Sequence, residues 1–385
     1  MGAESPRRGP GTDPEEAQLY QRLVQRIDAA GGSVPFVEFM ELVLYDPDYG
    51  YYTGPAAKFG ARGDFVTAPE LSPLLACGLA GTADSVLQQI GGGSVLEVGA
   101  GTGRMAADLL RNLAVPENLI RYQILERSAD LRARQQRLLA HEVPDWMERI
   151  EWIDVLPESG FQGFIFANEL LDAIAVNRVQ MTARGVGELH VSHDANGIRE
   201  RVGPLSDDRL AERIAPLGIA PGYRTEVGLR REAWVARAGA AIGRGALMLI
   251  DYGYPRREYY HPQRRDGTLL CHHRHRAHCD PYVHLGQQDI TAHVDFTGIA
   301  EAALAAGLDL LGFTTQAGYL LASGVLEMAQ IRPADDALAA INFRQNMKRL
   351  LLPGQMGDLF KVLIAGRGLE STPHGFGALD QRHRL

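Results

Sequence analysis

Hydrophobic positions along this chain follow two rhythms. Up to about position 90 they recur at helical spacing. Leu19, Leu23 and Ile27 stand four apart, Asp13 can cap, and Pro14 suits a first helical position, so a helix is predicted over 14–30. Phe36, Phe39, Met40 and Val43 share a face and predict a second helix over Val34–Tyr45; a further helix ends near Ile90. From position 94 short apolar runs alternate with helical stretches. Strands are predicted at Ser94–Val98, Arg121–Glu126, Ile150–Ile153, Gly163–Ala167, Ala246–Asp251, Leu308–Gln316 and Leu359–Ala365. Helices are predicted near 104–114, 128–141, 170–175, 231–242 and 297–306. Such alternation implies right-handed βαβ crossovers and a parallel sheet. Two stretches break it. Arg178–Gly228 reads as a β-rich excursion with strands at Arg178–Met181 and Glu188–His193, and Gly253–His284 reads as loop.

The sharpest local signal is Val95-Leu-Glu97-Val-Gly99-Ala100-Gly101-Thr102-Gly103-Arg104. An apolar strand runs into glycines at alternate positions, and a helix pattern follows. Glycine permits a tight exit and a close backbone approach to a ligand, which in open α/β sheets sits at the carboxyl ends of the strands. A dinucleotide fingerprint wants a third small residue where Arg104 stands. Glu97 inside the strand suits a ligand carrying positive charge better than a pyrophosphate. The corner resembles motif I of the class I methyltransferases, whose ligand S-adenosylmethionine carries an ammonium and a sulfonium.

Later strand ends carry acids in succession. Glu126 can accept both ribose hydroxyls of a nucleoside, or it is a solvated strand-end carboxylate. Asp154, followed by Val155, falls where this fold faces the adenine amino group. Asn168 and Glu169 follow the fourth strand, where the transferring methyl lies in this fold. On a helical turn Glu169 and Asp172 would share a face, and a helix dipole would also favour carboxylates there. Asp251 ends the fifth strand. In Asp289-Ile-Thr-Ala-His293-Val-Asp295, His293 and Asp295 are open to catalysis, with Asp295 equally suited to capping a helix.

Composition narrows the partners. With 385 residues the chain accommodates a large α/β domain with insertions, or two domains. The net charge of −8 does not point to nucleic acid. No apolar run approaches bilayer-spanning length, so no membrane partner is expected. Three cysteines make no disulfide framework. The Cys271–Asp280 stretch holds good zinc ligands but lacks paired spacing and is interleaved with arginines, so no metal is expected. Residues 1–13 read as a disordered leader without the features of a secretory or transit peptide.

Taken together, Phe36–Tyr52, Gly63-Asp64-Phe-Val-Thr67-Ala-Pro-Glu-Leu-Ser-Pro73, the Val95–Gly103 corner, Asn168–Ala173, Gly267-Thr-Leu with His275 and Asp280-Pro281, and Asp289–Phe296 resemble the MidA-type (DUF185) methyltransferases. That family includes a mitochondrial protein arginine methyltransferase tied to respiratory complex I assembly. The resemblance implies an α/β fold with a seven-stranded Rossmann-like sheet in the order 3-2-1-4-5-7-6. An N-terminal helical extension and cofactor lid would occupy 14–90. The methyltransferase domain would occupy 91–385, with substrate-recognition insertions near 178–228 and 253–290. It implies S-adenosyl-L-methionine as cofactor and an arginine of a protein as acceptor, a respiratory-complex subunit being one candidate. Glu97, Gly99, Ala100, Gly101, Thr102, Gly103, Glu126, Asp154, Val155, Asn168, Gly63, Asp64 and Thr67 would then hold the cofactor. Glu169, Asp172, Asp289 and His293 would serve catalysis. Other carboxylates facing the acceptor would be Glu226, Asp251 and Asp295. A small-molecule methyltransferase and a cofactor-binding assembly factor are the alternatives. A bacterial cytoplasmic setting is expected; the oligomeric state, a homodimer included, is left open.

Overall fold

The computed structural model describes residues 13–54, 68–327, 337–377 and 379–385. The chain divides into two compact units. One comprises residues 1–65, 172–231 and 257–293; the other comprises 66–171, 232–256 and 294–385.

Among the described residues the second unit is built on a sheet of eight strands. Seven lie in the order β15 (Asp309–Thr315), β16 (Phe360–Arg367), β10 (Ile242–Tyr254), β5 (Phe161–Asn168), β2 (Gly93–Val98), β3 (Leu119–Leu125), β4 (Ile150–Ile153). This is the 3-2-1-4-5-7-6 arrangement. The eighth strand, β14 (Val294–Asp295), runs parallel to the end of β10. A count of seven is therefore one short. Two residues are too few to show a period, and β14 forms only because β10 runs on to Tyr254. β16 is antiparallel to both neighbours, while β2, β3, β4, β5 and β10 are mutually parallel. The central strands β2, β5 and β10 are buried on both faces over most of their length, which is why they read as near-continuous apolar runs, while β3 and β4 toward the edge carry exposed polar residues. Phe164, Phe166, Met248 and Val362 lie in its core with Leu79, Leu87 and Leu109 from flanking helices.

Helices Leu74–Ile90, Arg104–Asn112, Ala129–Glu142 and Phe296–Ala305 match their predicted positions within a few residues. Helix Gln316–Ala322 begins where the sequence reading ends a strand, and Ala337–Leu351 lies where it assigns no element. The predicted helix at 170–175 does not form: Glu169 adopts φ +52°, and turns follow.

The first unit has its own core, drawn from the helices Pro14–Ala29 and Phe36–Tyr45 and their surroundings: Leu19, Leu23, Phe36, Phe39, Tyr51, Tyr282 and Ile290. The excursion forms an antiparallel sheet from β6 (Asn177–Thr182), β7 (Gly185–Asp194), β8 (Gly197–Gly203) and β9 (Arg224–Val227), joined by β1 (Val34–Pro35). The stretch expected to be loop contains β11 (Leu270–His273) and β12 (Arg276–His278), which form a second small sheet with β13 (Asp289–Thr291) just beyond it. Its polar, His-rich strands hide the apolar alternation by which strands are recognised. The described residues include no helix long and apolar enough to cross a membrane.

Candidate active site

In the second unit, β2 ends in the glycine turn. Gly99, Gly101 and Gly103 adopt φ of +73°, +53° and +86°, left-handed values that cost other residues about 1–2 kcal/mol each. A Cβ on Gly101 would meet nothing within 4 Å, so conformation alone demands glycine there and its outer side is open. Gly103 starts the helix Arg104–Asn112 with no capping side chain, leaving the first N–H groups without that partner. Thr102 Oγ1 donates to Glu70 at 2.6 Å. Glu97 is buried, and its carboxylate accepts from the Tyr122 hydroxyl at 2.7 Å. Burial pushes its pKa up to about 7 despite that bond.

Glu126 follows β3. Its carboxylate accepts from the Ser128 N–H at 2.9 Å and the Gln135 amide at 3.0 Å. Desolvation raises its pKa, and those bonds counter the rise. Beyond β4, Asp154 is exposed and pairs with Arg132 at 2.7 Å. Arg132 also donates to the carbonyls of Glu126 and Ile153. Val155 is 74% exposed, an apolar side chain left outside the core at a strand end. Asn168 closes β5. Its amide donates to Glu169 Oε1 at 3.2 Å, and its Oδ1 is buried with no hydrogen-bond partner among the described residues. Glu169, whose N–H donates to Ile250 O, holds a left-handed conformation that is uncommon for a non-glycine residue and concentrated at functional positions. Adjacent parallel strands thus present the glycine turn, Glu126, Asp154–Val155 and Asn168–Glu169 at their carboxyl ends. Asp251 is fully buried, its two oxygens accepting the N–H groups of Leu171 and Tyr252.

Glu169 and Asp172 do not share a helical face, and Asp172 belongs to the first unit together with Asp289 and His293. There the Tyr52 hydroxyl donates to Asp289 at 2.8 Å. Desolvation, then the carboxylates of Asp289 and Asp172, hold that phenol well above its ordinary pKa. Arg231, nearly fully buried, donates to the backbone carbonyls of Asp172, Ile174 and His293 and so braces both candidate segments. Glu226 is fully buried, bonded to Thr268 and 3.5 Å from Arg178. Asp295, in the second unit, is the N-cap of Phe296–Ala305, accepting from Thr297 and Gly298 and pairing with Arg256 at 3.1 Å. Gly63, Asp64 and Thr67 lie outside the described residues. Among those described, no group of three or more His, Cys, Asp and Glu could hold a metal ion.

Sequence reasoning missed Gln135, Tyr122, Tyr52 and Arg231. Gln135 had a signal, since it is the polar member of the buried stripe Leu131, Gln135, Leu139. Nothing distinguishes Tyr52 among the tyrosines around it, or Arg231 among the arginines beside it.

A doubly wound sheet in this order, with glycines and acids at its carboxyl ends, defines a class I methyltransferase. The chain belongs to the Methyltransf_28 family of S-adenosyl-L-methionine-dependent methyltransferases, whose model matches residues 79–314. It is similar, at 43% identity and a TM-score of 0.93, to a COG1565 superfamily member from Burkholderia thailandensis crystallised with S-adenosyl-homocysteine. The match covers 98% of this chain and 99% of that one. It is also 25% identical to a Drosophila melanogaster protein named protein arginine methyltransferase NDUFAF7 homolog, mitochondrial, over 95% of this chain and 90% of that protein. The Rattus norvegicus NDUFAF7 is 26% identical over 91% of this chain and 85% of its own length.

S-adenosyl-L-methionine is the cofactor of this methyltransferase, and the residues present fit it. The open glycine turn admits a close ligand, the buried Asn168 Oδ1 lacks the donor that an ammonium supplies, and Val155 offers an apolar surface suited to a base.

Proposed function

We propose that this protein methylates an arginine side chain of another protein. The observation that carries the reading is the alignment, along nearly the whole chain, with relatives named protein arginine methyltransferases. When bound, S-adenosyl-L-methionine supplies a methyl group activated by its sulfonium. In our reading Gly99, Ala100, Gly101, Thr102 and Gly103 cradle that cofactor with Gly63, Asp64 and Thr67. Glu126 takes its ribose, Asp154 and Val155 its base, and Asn168 its ammonium, with Glu97 behind the turn.

The acceptor's chemistry accounts for the remaining carboxylates. Guanidinium is cationic, with a pKa above about 12, and a poor nucleophile. Carboxylates paired with it localise its charge away from the attacking nitrogen, orient that nitrogen and take the released proton. We assign these tasks to Glu169, Asp172 and Asp289, with His293 as the further proton acceptor. The acidic net charge suits a cationic acceptor.

The test compares methyl-arginine across the proteomes of a wild-type strain and a strain lacking the gene. The expected result is loss of one or a few methyl-arginine sites, restored by the wild-type gene and not by a Gly101→Val copy. An identical methyl-arginine inventory, with a small molecule methylated instead, would sink the arginine reading and leave a small-molecule methyltransferase.

A further inference from the structure

The helix Ala129–Glu142 buries Leu131, Gln135 and Leu139. Its middle residue is polar and fully buried, and a buried amide is tolerated when its donors and acceptor are met. Gln135 Nε2 donates to the Gly101 carbonyl at 3.0 Å and to Glu126 Oε2 at 3.0 Å, while Oε1 accepts from Trp152 Nε1 at 3.0 Å. The orientation follows from chemistry. An indole N–H only donates, and a carbonyl or carboxylate oxygen accepts, so Trp152 dictates which end of the amide faces Glu126. One side chain therefore ties together the middle glycine of the turn, the acid after β3 and a residue of β4. The approach is close: a Cβ on Gly103 would stand 3.3 Å from Gln135 Cα and Cγ.

We propose that Gln135 is a positioning residue for the cofactor, holding the Glu126 carboxylate and the Gly101 carbonyl in place and thereby setting affinity and selectivity for the ribose hydroxyls. The inference rests on the reading of Glu126 as the ribose acceptor. Without this clamp Glu126 would keep the Ser128 N–H on Oε1 but lose the amide donor on Oε2, and the cost of ordering that oxygen on the ligand would appear as lost affinity. A merely structural glutamine would instead stabilise the fold and leave ribose selectivity untouched.

The test is calorimetry on the full chain with S-adenosylhomocysteine and its 2′-deoxy and 3′-deoxy analogues. Gln135→Met keeps length and removes the hydrogen bonds. It is expected to weaken S-adenosylhomocysteine about tenfold or more, as deletion of a buried hydrogen bond to a charged group does. It should also shrink the penalty for a missing hydroxyl from about tenfold to about two- or threefold. A folded variant that binds like wild type, or that binds weakly with its ribose selectivity intact, overturns the proposal. Glu126→Gln in the same series separates the premise from the inference. If that change leaves affinity and selectivity unaltered, the ribose reading itself fails. If it lowers both while Gln135→Met does not, only the positioning role fails. Should Gln135→Met not fold, Trp152→Phe removes the donor that orients the amide. It should weaken binding in the same direction by about threefold, and wild-type binding there overturns the proposal.

Discussion

At the scale of single residues, two carboxylates behave in opposite ways. Glu97 is sealed in the sheet with its pKa raised from 4.5 to about 7. Its folded pKa exceeds its unfolded one, so the folded state binds more protons between those values. Stability from this group is full below about pH 4.5 and is lost as pH rises toward 7, by about 3 kcal/mol at most. Glu97→Gln keeps an acceptor for Tyr122 and cannot ionise. Urea unfolding at pH 5 and pH 8 should show wild type losing more stability over that interval than the variant; equal losses would exclude Glu97 as the group. Glu169 is instead half-buried in a left-handed conformation. If it serves the acceptor, Glu169→Gln should lower kcat by about two orders of magnitude, with the affinity for S-adenosylhomocysteine nearly unchanged. A parallel collapse of that affinity would place Glu169 on the cofactor instead.

At the scale of elements, helix ends decide what several candidate residues do. Asp295 reads equally as catalyst or cap in sequence. Its hydrogen bonds to Thr297 and Gly298 make it the cap, and Arg256, which also pairs with Glu301, anchors it. Asp295→Ala should therefore destabilise the protein by about 1–2 kcal/mol, read as a lower Tm, while methyl transfer per folded molecule stays at the wild-type level. A large loss of kcat without a stability change would return Asp295 to catalysis. No helix forms over 170–175: Glu169 and Asp172 stand three apart, but that spacing does not reveal that the Glu169 N–H is taken by Ile250, a neighbour supplied by β10.

At the scale of the whole molecule, each of the two compact units has a core of its own, and the glycine turn and strand-end acids belong to one of them. Saturating S-adenosylhomocysteine should add about 2.7 kcal/mol of stability at a hundredfold excess over Kd. Hydrogen exchange should slow most at 99–104 and 126–135; protection spread evenly over the chain, or absent there, would move the cofactor elsewhere. The central strands of this unit were legible because they are near-continuous apolar runs, closed by the glycine turn after β2 and by acids after β3, β4 and β5. Both signals are local. So the sequence by itself determined seven of the strands, the glycine corner and the order of acids along the chain. Tertiary structure alone decided that Gln135 meets Glu126, Gly101 and Trp152, that Tyr52 meets Asp289, and that Arg231 braces Asp172 and His293. These partners stand from nine to more than two hundred residues apart. No hydrophobic period encodes them, because a buried polar group takes whichever partner the packed chain brings within hydrogen-bonding reach.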